Sequence, residues 1–77
     1  MTTTETFVAN VRRELTARNW TQTELARRCK WPPSRVAEML AGNHHPRLDT
    51  VETVATAFGI TSSVLLTPLP ENLAVVS

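Results

Sequence analysis

The sequence predicts an all-α fold, a compact bundle of about five short helices, from three observations. Apolar residues recur at intervals of three and four along most of the chain, which is the period of a helix buried on one face. Residues that end helices (asparagine, glycine and proline) divide the chain into segments of helical length. No stretch alternates apolar and polar residues as a strand does. With 77 residues the chain has room for one small domain, and helices with local contacts suit that size.

The first helix is predicted over about residues 5–18. Phe7, Val8, Val11 and Leu15 fall on one face of such a helix. Asn19 follows its last turn, and asparagine is common in the left-handed position after a helix.

The second helix is predicted to begin after Thr21. Thr21 and Glu24 have the spacing of a capping box, in which each side chain accepts a hydrogen bond from the other residue's backbone N–H. The helix must stop before Pro32-Pro33, because two consecutive prolines do not fit a helix interior. Its predicted inner face comprises Leu25, Ala26 and Cys29.

Three further helices follow. The third is predicted over residues 33–41, since proline suits the first turn of a helix and Gly42 can end it. The fourth runs from about Leu48 to the residue before Gly59. A short fifth helix near 62–66 can be capped by Thr61. The apolar faces of the third and fourth helices are predicted to comprise Val36, Met39, Leu40, Leu48, Val51, Val54, Ala55 and Phe58.

The charges are unevenly distributed. All eight basic residues lie between positions 12 and 47 with three acidic residues, whereas the rest of the chain has four acidic and no basic residues. This asymmetry favours a face that meets a polyanion, although solvated arginines on helix surfaces would look the same. There is neither a signal peptide nor an apolar run long enough to span a membrane, so we expect a cytoplasmic protein without a membrane partner.

The most informative segment is Thr21 to Gly42: a capped helix, a tight turn, a short helix and a glycine. A turn this short makes the two helices cross steeply, with Ala26 as the small residue near the crossing. The chain resembles the lambda-repressor-like (XRE) helix-turn-helix family over about residues 7–67. The matching residues are Thr21-Gln22, Leu25-Ala26, Val36, Gly42, Pro46, Leu48, Ala55, Phe58-Gly59-Ile60 and Leu65-Leu66.

This resemblance implies that the third helix, at about 33–41, enters the DNA major groove. It assigns a backbone contact to Gln22. It places the loop with Asn43, His44 and Arg47 near the phosphates. Arg35 is the best candidate for a bidentate contact to guanine, or else it clamps a phosphate. Glu38 either accepts from a cytosine or holds Arg35 from the next turn. The implied DNA-contacting residues are Gln22, Pro33, Ser34, Arg35, Ala37, Glu38, Asn43, His44 and Arg47.

The chain departs from the family pattern in the turn and at the start of the third helix. Lys30 stands where the family usually has glycine, and a left-handed lysine costs about 1 kcal/mol. Pro32-Pro33 stands where the family usually has polar residues. These changes leave the fold prediction intact but affect how bases are read.

We therefore expect residues 1–67 to form the DNA-binding domain and residues 68–77 to form a tail that is disordered or associated with a dimer contact. The function expected is that of a transcription regulator, a repressor or operon controller of prokaryotic or phage type. It would bind a palindromic operator in double-stranded DNA as a homodimer and lie on the nucleoid when bound. The expected dimer contacts, implied by the resemblance, are Leu65, Leu66, Leu73 and Val75.

An alternative function is an antitoxin-like or adaptor module that mainly binds a protein partner. We expect no enzyme and no cofactor, because no nucleophile has a defensible base and no glycine-rich phosphate loop occurs. A structural zinc site usually needs four ligands, and the chain offers only His44, His45 and the distant Cys29, so no metal is expected.

Overall fold

The computed structural model describes residues 2–68, which form five α-helices and no strand. These are α1 (Thr3–Arg18), α2 (Gln22–Cys29), α3 (Pro33–Ala41), α4 (Leu48–Phe58) and α5 (Ser62–Leu66). The predicted all-α class and the predicted order of five helices are confirmed. None of these helices combines the length and apolar character needed to cross a bilayer.

All five helices contribute to one hydrophobic core. α1, α2 and α4 supply most of it, and α3 and α5 each bury one side of a short helix against the others. The largest of its fully buried apolar side chains are Phe7, Val11, Leu25, Val36, Val51, Val54 and Leu65. One apolar residue expected in this core lies outside it: Leu48 is 68% exposed, because it occupies the first turn of α4, before the buried face begins at Val51.

Four helices end in a left-handed residue, as their sequences predict. Asn19, Lys30, Gly42 and Gly59 have φ values of 58°, 61°, 74° and 74°. Lys30 is the strained member of this set, since a lysine lacks both the freedom of glycine and the local hydrogen bonding of asparagine. The chain thus keeps the family's left-handed turn without the family's glycine.

The helix starts differ from the sequence prediction in detail. α1 begins two residues earlier than expected, because Thr2 and Glu5 form a full capping box. At α2 half of the predicted box exists: Thr21 Oγ1 accepts from the Glu24 N–H at 3.1 Å, but the Glu24 carboxylate accepts from arginines instead. Thr61 does not cap α5, since its hydroxyl lies 3.0 Å from the Ser63 hydroxyl.

Polar side chains of α1 satisfy the carboxyl ends of other helices. Arg12 donates to the Leu40 carbonyl in α3 at 3.2 Å, and Arg18 donates to the Phe58 carbonyl in α4 at 2.8 Å. These terminal carbonyls have no partner within their own helix, and cationic groups also favour the negative end of a helix dipole. Two of the arginines that the charge analysis counted toward a DNA face therefore stabilise the fold.

Asn10 does the same for α5 from inside the protein. It is 2% exposed, and its Nδ2 lies 3.3, 2.9 and 3.0 Å from the carbonyl oxygens of Val64, Leu65 and Thr67. Arg13 in turn donates to Asn10 Oδ1 at 2.7 Å. A single buried amide thus joins the first helix to the last.

Candidate nucleic-acid interface

The turn between α2 and α3 is held rigidly on both sides. The Lys30 N–H donates to the Arg27 carbonyl at 3.2 Å, and the Trp31 N–H donates to the Ala26 carbonyl at 2.9 Å. This pair of bonds closes the carboxyl end of α2. Pro32 and Pro33 then fix φ over the next two residues, so α3 begins in a direction set by the backbone. α2 packs against α3, and Ala26 of α2 is buried in the core, 1% exposed.

α3 has one buried and one exposed face. Val36 and Leu40 point into the core. The opposite side is open to solvent along the first two turns. Ala37 lies on this side, and its small side chain adds little bulk to the helix there. The exposed residues of this face are the five predicted to face the DNA: Pro33, Ser34, Arg35, Ala37 and Glu38.

A shallow groove of about 200 Å³ joins this face to the loop after α3. Four predicted contact residues line it: Arg35, Glu38, His44 and Arg47. The loop is fastened to α1, because the buried Thr4 hydroxyl lies 2.5 Å from His45 Nδ1. The fold thus brings cationic and polar residues from two segments to one surface.

Arg35 is exposed and has no carboxylate partner within residues 2–68. Glu38 therefore does not hold it, which was one of the two alternatives for that residue. Instead the central carbon of the Arg35 guanidinium, Cζ, lies over the Trp31 ring at 4.1 Å from its centroid, a cation–π contact. Stacking uses the face of the guanidinium and leaves its N–H edge available.

The other basic residues of this region are engaged differently. Arg47 lies 3.6 Å from Asp49 with both side chains mostly exposed, a pair that contributes little in water. Arg27 and Arg28 both donate to Glu24, at 2.5 and 2.7 Å. These two hydrogen bonds lower the pKa of Glu24, and the bond from Arg27 has the larger effect. The positive charge of α2 is therefore partly neutralised by Glu24, whereas no carboxylate among residues 2–68 neutralises the charge of Arg35.

Some of the predicted DNA-contacting residues lie on α2, on α3 or in the loop after α3 but do not line the groove. Gln22 is exposed in the first turn of α2, and Asn43 is exposed directly after Gly42. Neither lines the groove, and neither do Ser34 and Ala37, which lie on the open side of α3.

The expected dimer residues have different surroundings. Leu65 is fully buried in the core of its own chain, so in this structure it has no surface to offer a second copy. Leu66 is half-buried, and Val64, which the sequence did not single out, is 38% exposed. Leu73 and Val75 lie outside the described residues.

Cys29 and the histidines do not form a metal site. No group of three or more His, Cys, Asp or Glu side chains comes together in residues 2–68. Burial raises the pKa of the Cys29 thiol, although the Arg35 charge lowers it to a smaller extent. Cys29 is a core residue, as its position on α2 predicts.

Comparison with known proteins places this geometry in a family. The family model described as Helix-turn-helix matches residues 11–65. The chain belongs to the lambda-repressor-like (XRE) helix-turn-helix family. It is thus an all-α, DNA-binding transcription regulator of the XRE type. Its helix-turn-helix motif consists of α2 and α3.

A solved structure supports the same assignment. The crystal structure of the hypothetical transcription factor NHTF from Neisseria superimposes with a TM-score of 0.85 at 27% identity. The match covers 96% of this chain and 85% of that one. A search of curated proteins finds no match.

Sequence reasoning did not foresee two features of this helix-turn-helix protein. The Trp31–Arg35 stack crosses from the turn into α3, so helical spacing gave no signal for it. No local pattern pointed to the role of Asn10, because its carbonyl partners in α5 lie more than 50 residues away.

Proposed function

We propose that this protein is a sequence-specific regulator of transcription that binds a palindromic operator as a homodimer, with α3 in the major groove. The observation that carries the proposal is the outward face of α3, where Arg35, which has no carboxylate partner among residues 2–68, lines a groove together with His44 and Arg47. The major groove is about 12 Å wide and admits one helix, which reads bases through its first turns. The setting would be the cytoplasm of a prokaryote, with the protein on the nucleoid when bound, and the role needs no catalysis.

Within this surface the residues have separate roles. Arg35 donates two N–H groups to the O6 and N7 of one guanine. Ser34 and Glu38 face neighbouring base edges, and Ala37 lets the helix approach closely. Gln22, Asn43, His44 and Arg47 contact the sugar–phosphate backbone on either side, which fixes the register of α3.

The dimer would form through α5. Val64 and Leu66 give this short helix an apolar outer surface, which a second copy would cover. Two symmetry-related α3 helices would then lie about 34 Å apart, one turn of DNA. A repressor role follows if such an operator overlaps a promoter.

The first test selects bound sequences from random duplex DNA with the full chain at about 0.15 M salt, where non-specific binding is weak. The expected result is a palindrome whose half-sites are one helical turn apart. No enrichment by a folded protein would contradict sequence-specific binding. Affinity for a protein partner that barely changes with salt would then favour the antitoxin-like or adaptor alternative.

The second test replaces Arg35 with alanine. If Arg35 reads a base, the cognate site weakens by about 1–3 kcal/mol and preference is lost at one base pair. Arg27→Ala is the matched control, because Arg27 is an exposed arginine of the same motif paired with Glu24. Equal weakening on every sequence would make Arg35 a phosphate contact instead.

The third test concerns the dimer. Val64→Asp should shift the protein toward monomer in sedimentation equilibrium, since a charge is costly in an apolar contact. Ser63→Asp adds the same charge one residue away, at another exposed position, and should leave the mass unchanged. An unchanged mass for both variants would contradict a contact through this side of α5.

A further inference from the structure

We propose that Trp31 is a specificity-determining residue that acts by positioning Arg35. This inference rests on the proposed function and deepens it, because it explains how one side chain is prepared to read a base. Trp31 lies in the turn, outside the helix that enters the groove. The carbon at the centre of the Arg35 guanidinium lies 4.1 Å from the centroid of the Trp31 ring.

The ring is a fixed platform. The Trp31 backbone N–H donates a hydrogen bond to the Ala26 carbonyl, and the two prolines that follow Trp31 restrict the backbone on the other side. The ring itself packs against the hydrophobic core and is half-buried. An exposed arginine would otherwise sample many rotamers, and it would lose that freedom on binding a base. Stacking on a rigid ring removes part of that loss before the DNA arrives.

The geometry also leaves the useful edge of Arg35 free. A guanidinium stacked on an aromatic face keeps its N–H groups in the plane parallel to the ring. Within residues 2–68 no hydrogen bond from the Arg35 side chain competes for them, and none of the ion pairs involves it. Bidentate recognition of guanine needs two of these groups at once, so a prealigned plane favours base reading over a single phosphate contact.

The same chain contains a second arginine–tryptophan stack that serves as an internal comparison. Arg28 lies over Trp20 at the same 4.1 Å distance. However, Arg28 is also paired with Glu24, and Trp20 stacks on Phe58 in the core. That pair therefore holds α2 to the core, whereas the guanidinium of the Trp31–Arg35 pair has no hydrogen-bond acceptor in the described part of the chain.

The test measures discrimination, the ratio of affinities for the selected site and for the same site changed at the guanine that Arg35 reads. Trp31→Leu keeps apolar bulk but removes the aromatic face, and it should lower this ratio roughly two- to fivefold, the worth of an exposed cation–π contact. Trp31→Phe should keep most of the ratio. In an Arg35→Ala background, Trp31→Leu should change the ratio no further.

Controls separate this role from a structural one. Arg28→Ala breaks the other stack and should leave the ratio unchanged. Thermal unfolding followed by circular dichroism checks that each variant is folded. Trp31→Leu lowering affinity equally for both sites, or lowering the ratio equally with and without Arg35, would overturn the inference. If the wild type selects a site but Arg35→Ala preserves its discrimination, the inference fails and the proposed function stands. If the wild type selects no site, both fail.

Discussion

Replacing Asn10 with alanine should be among the most damaging single polar changes in this protein. The amide is 2% exposed, and its Nδ2 is within 3.3 Å of three carbonyl oxygens at the end of α5. Only two N–H groups serve these three acceptors, so the change removes two hydrogen bonds at α5, as well as the partly buried bond from Arg13 to Asn10 Oδ1. Each buried acceptor left without a partner costs about 1–3 kcal/mol.

We take the lower part of that range, because two of the three bonds are only partly buried, and expect a loss of about 2–3 kcal/mol. A domain of this size has a free energy of unfolding of roughly 4–12 kcal/mol, so the variant would lose a large share of its stability. A change of 1 kcal/mol shifts the Tm of such a domain by about 4–8 °C, which predicts a shift of roughly 8–24 °C.

Urea unfolding and thermal unfolding, both followed by circular dichroism, measure this change. Thr67→Ala is the matched control, since it removes an exposed side-chain bond to the Ser63 carbonyl in the same helix and should cost far less. Hydrogen exchange adds a local reading: the amides of α5 should lose protection before those of α2 and α4. A loss below about 1 kcal/mol would refute the reasoning, because it would mean that water replaces the amide at no cost.

Three further changes test the turn, the core cysteine and the α2 carboxylate. Lys30→Gly should raise the free energy of unfolding by about 0.5–1 kcal/mol in urea titrations, because glycine relieves the strain of the left-handed backbone. Asn19→Gly should raise it less, and equal effects of the two changes would mean that the lysine is not strained. Cys29, buried and with a raised thiol pKa, should react with iodoacetamide far more slowly in the folded protein than in urea; equal rates would contradict its burial. The pKa of Glu24 is lowered below its ordinary value of 4.5, so its ion pairs stabilise the fold above that pH and the benefit disappears as pH falls through the lowered pKa. Glu24→Gln should therefore flatten the fall in Tm on the acid side, and a pH profile parallel to that of the wild type would contradict the pairing.

Local signals in the sequence were enough to predict the helices and the motif. Pro33 and Gly42 set the bounds of α3 because both act through their own backbone. The left-handed conformation of Lys30 was implied by the family resemblance, since the family usually has glycine there. The exposed face of α3 follows from the positions of Val36 and Leu40 on the opposite side.

Features that depend on distant parts of the chain could not be predicted in this way. The family resemblance implied that Leu65 is a dimer contact, yet α5 packs it inward against α1 and α4. Arg12 and Arg18 counted as surface charge until the fold showed which carbonyls they reach. Trp31 is an aromatic residue in a turn, and only the fold shows that a guanidinium lies on it.

The bonds from α1 to the ends of later helices also bear on how the chain assembles during synthesis. Asn10 and the Thr67 carbonyl are 57 residues apart, a separation that a ribosome covers in roughly 3–11 s at about 5–20 residues per second. Arg12 meets its acceptor after 28 residues and Arg18 after 40. Until its own acceptor has been synthesised, each of these side chains stays hydrated. The amide of Asn10 is therefore among the last groups to be buried, and it closes the bundle when the end of α5 arrives.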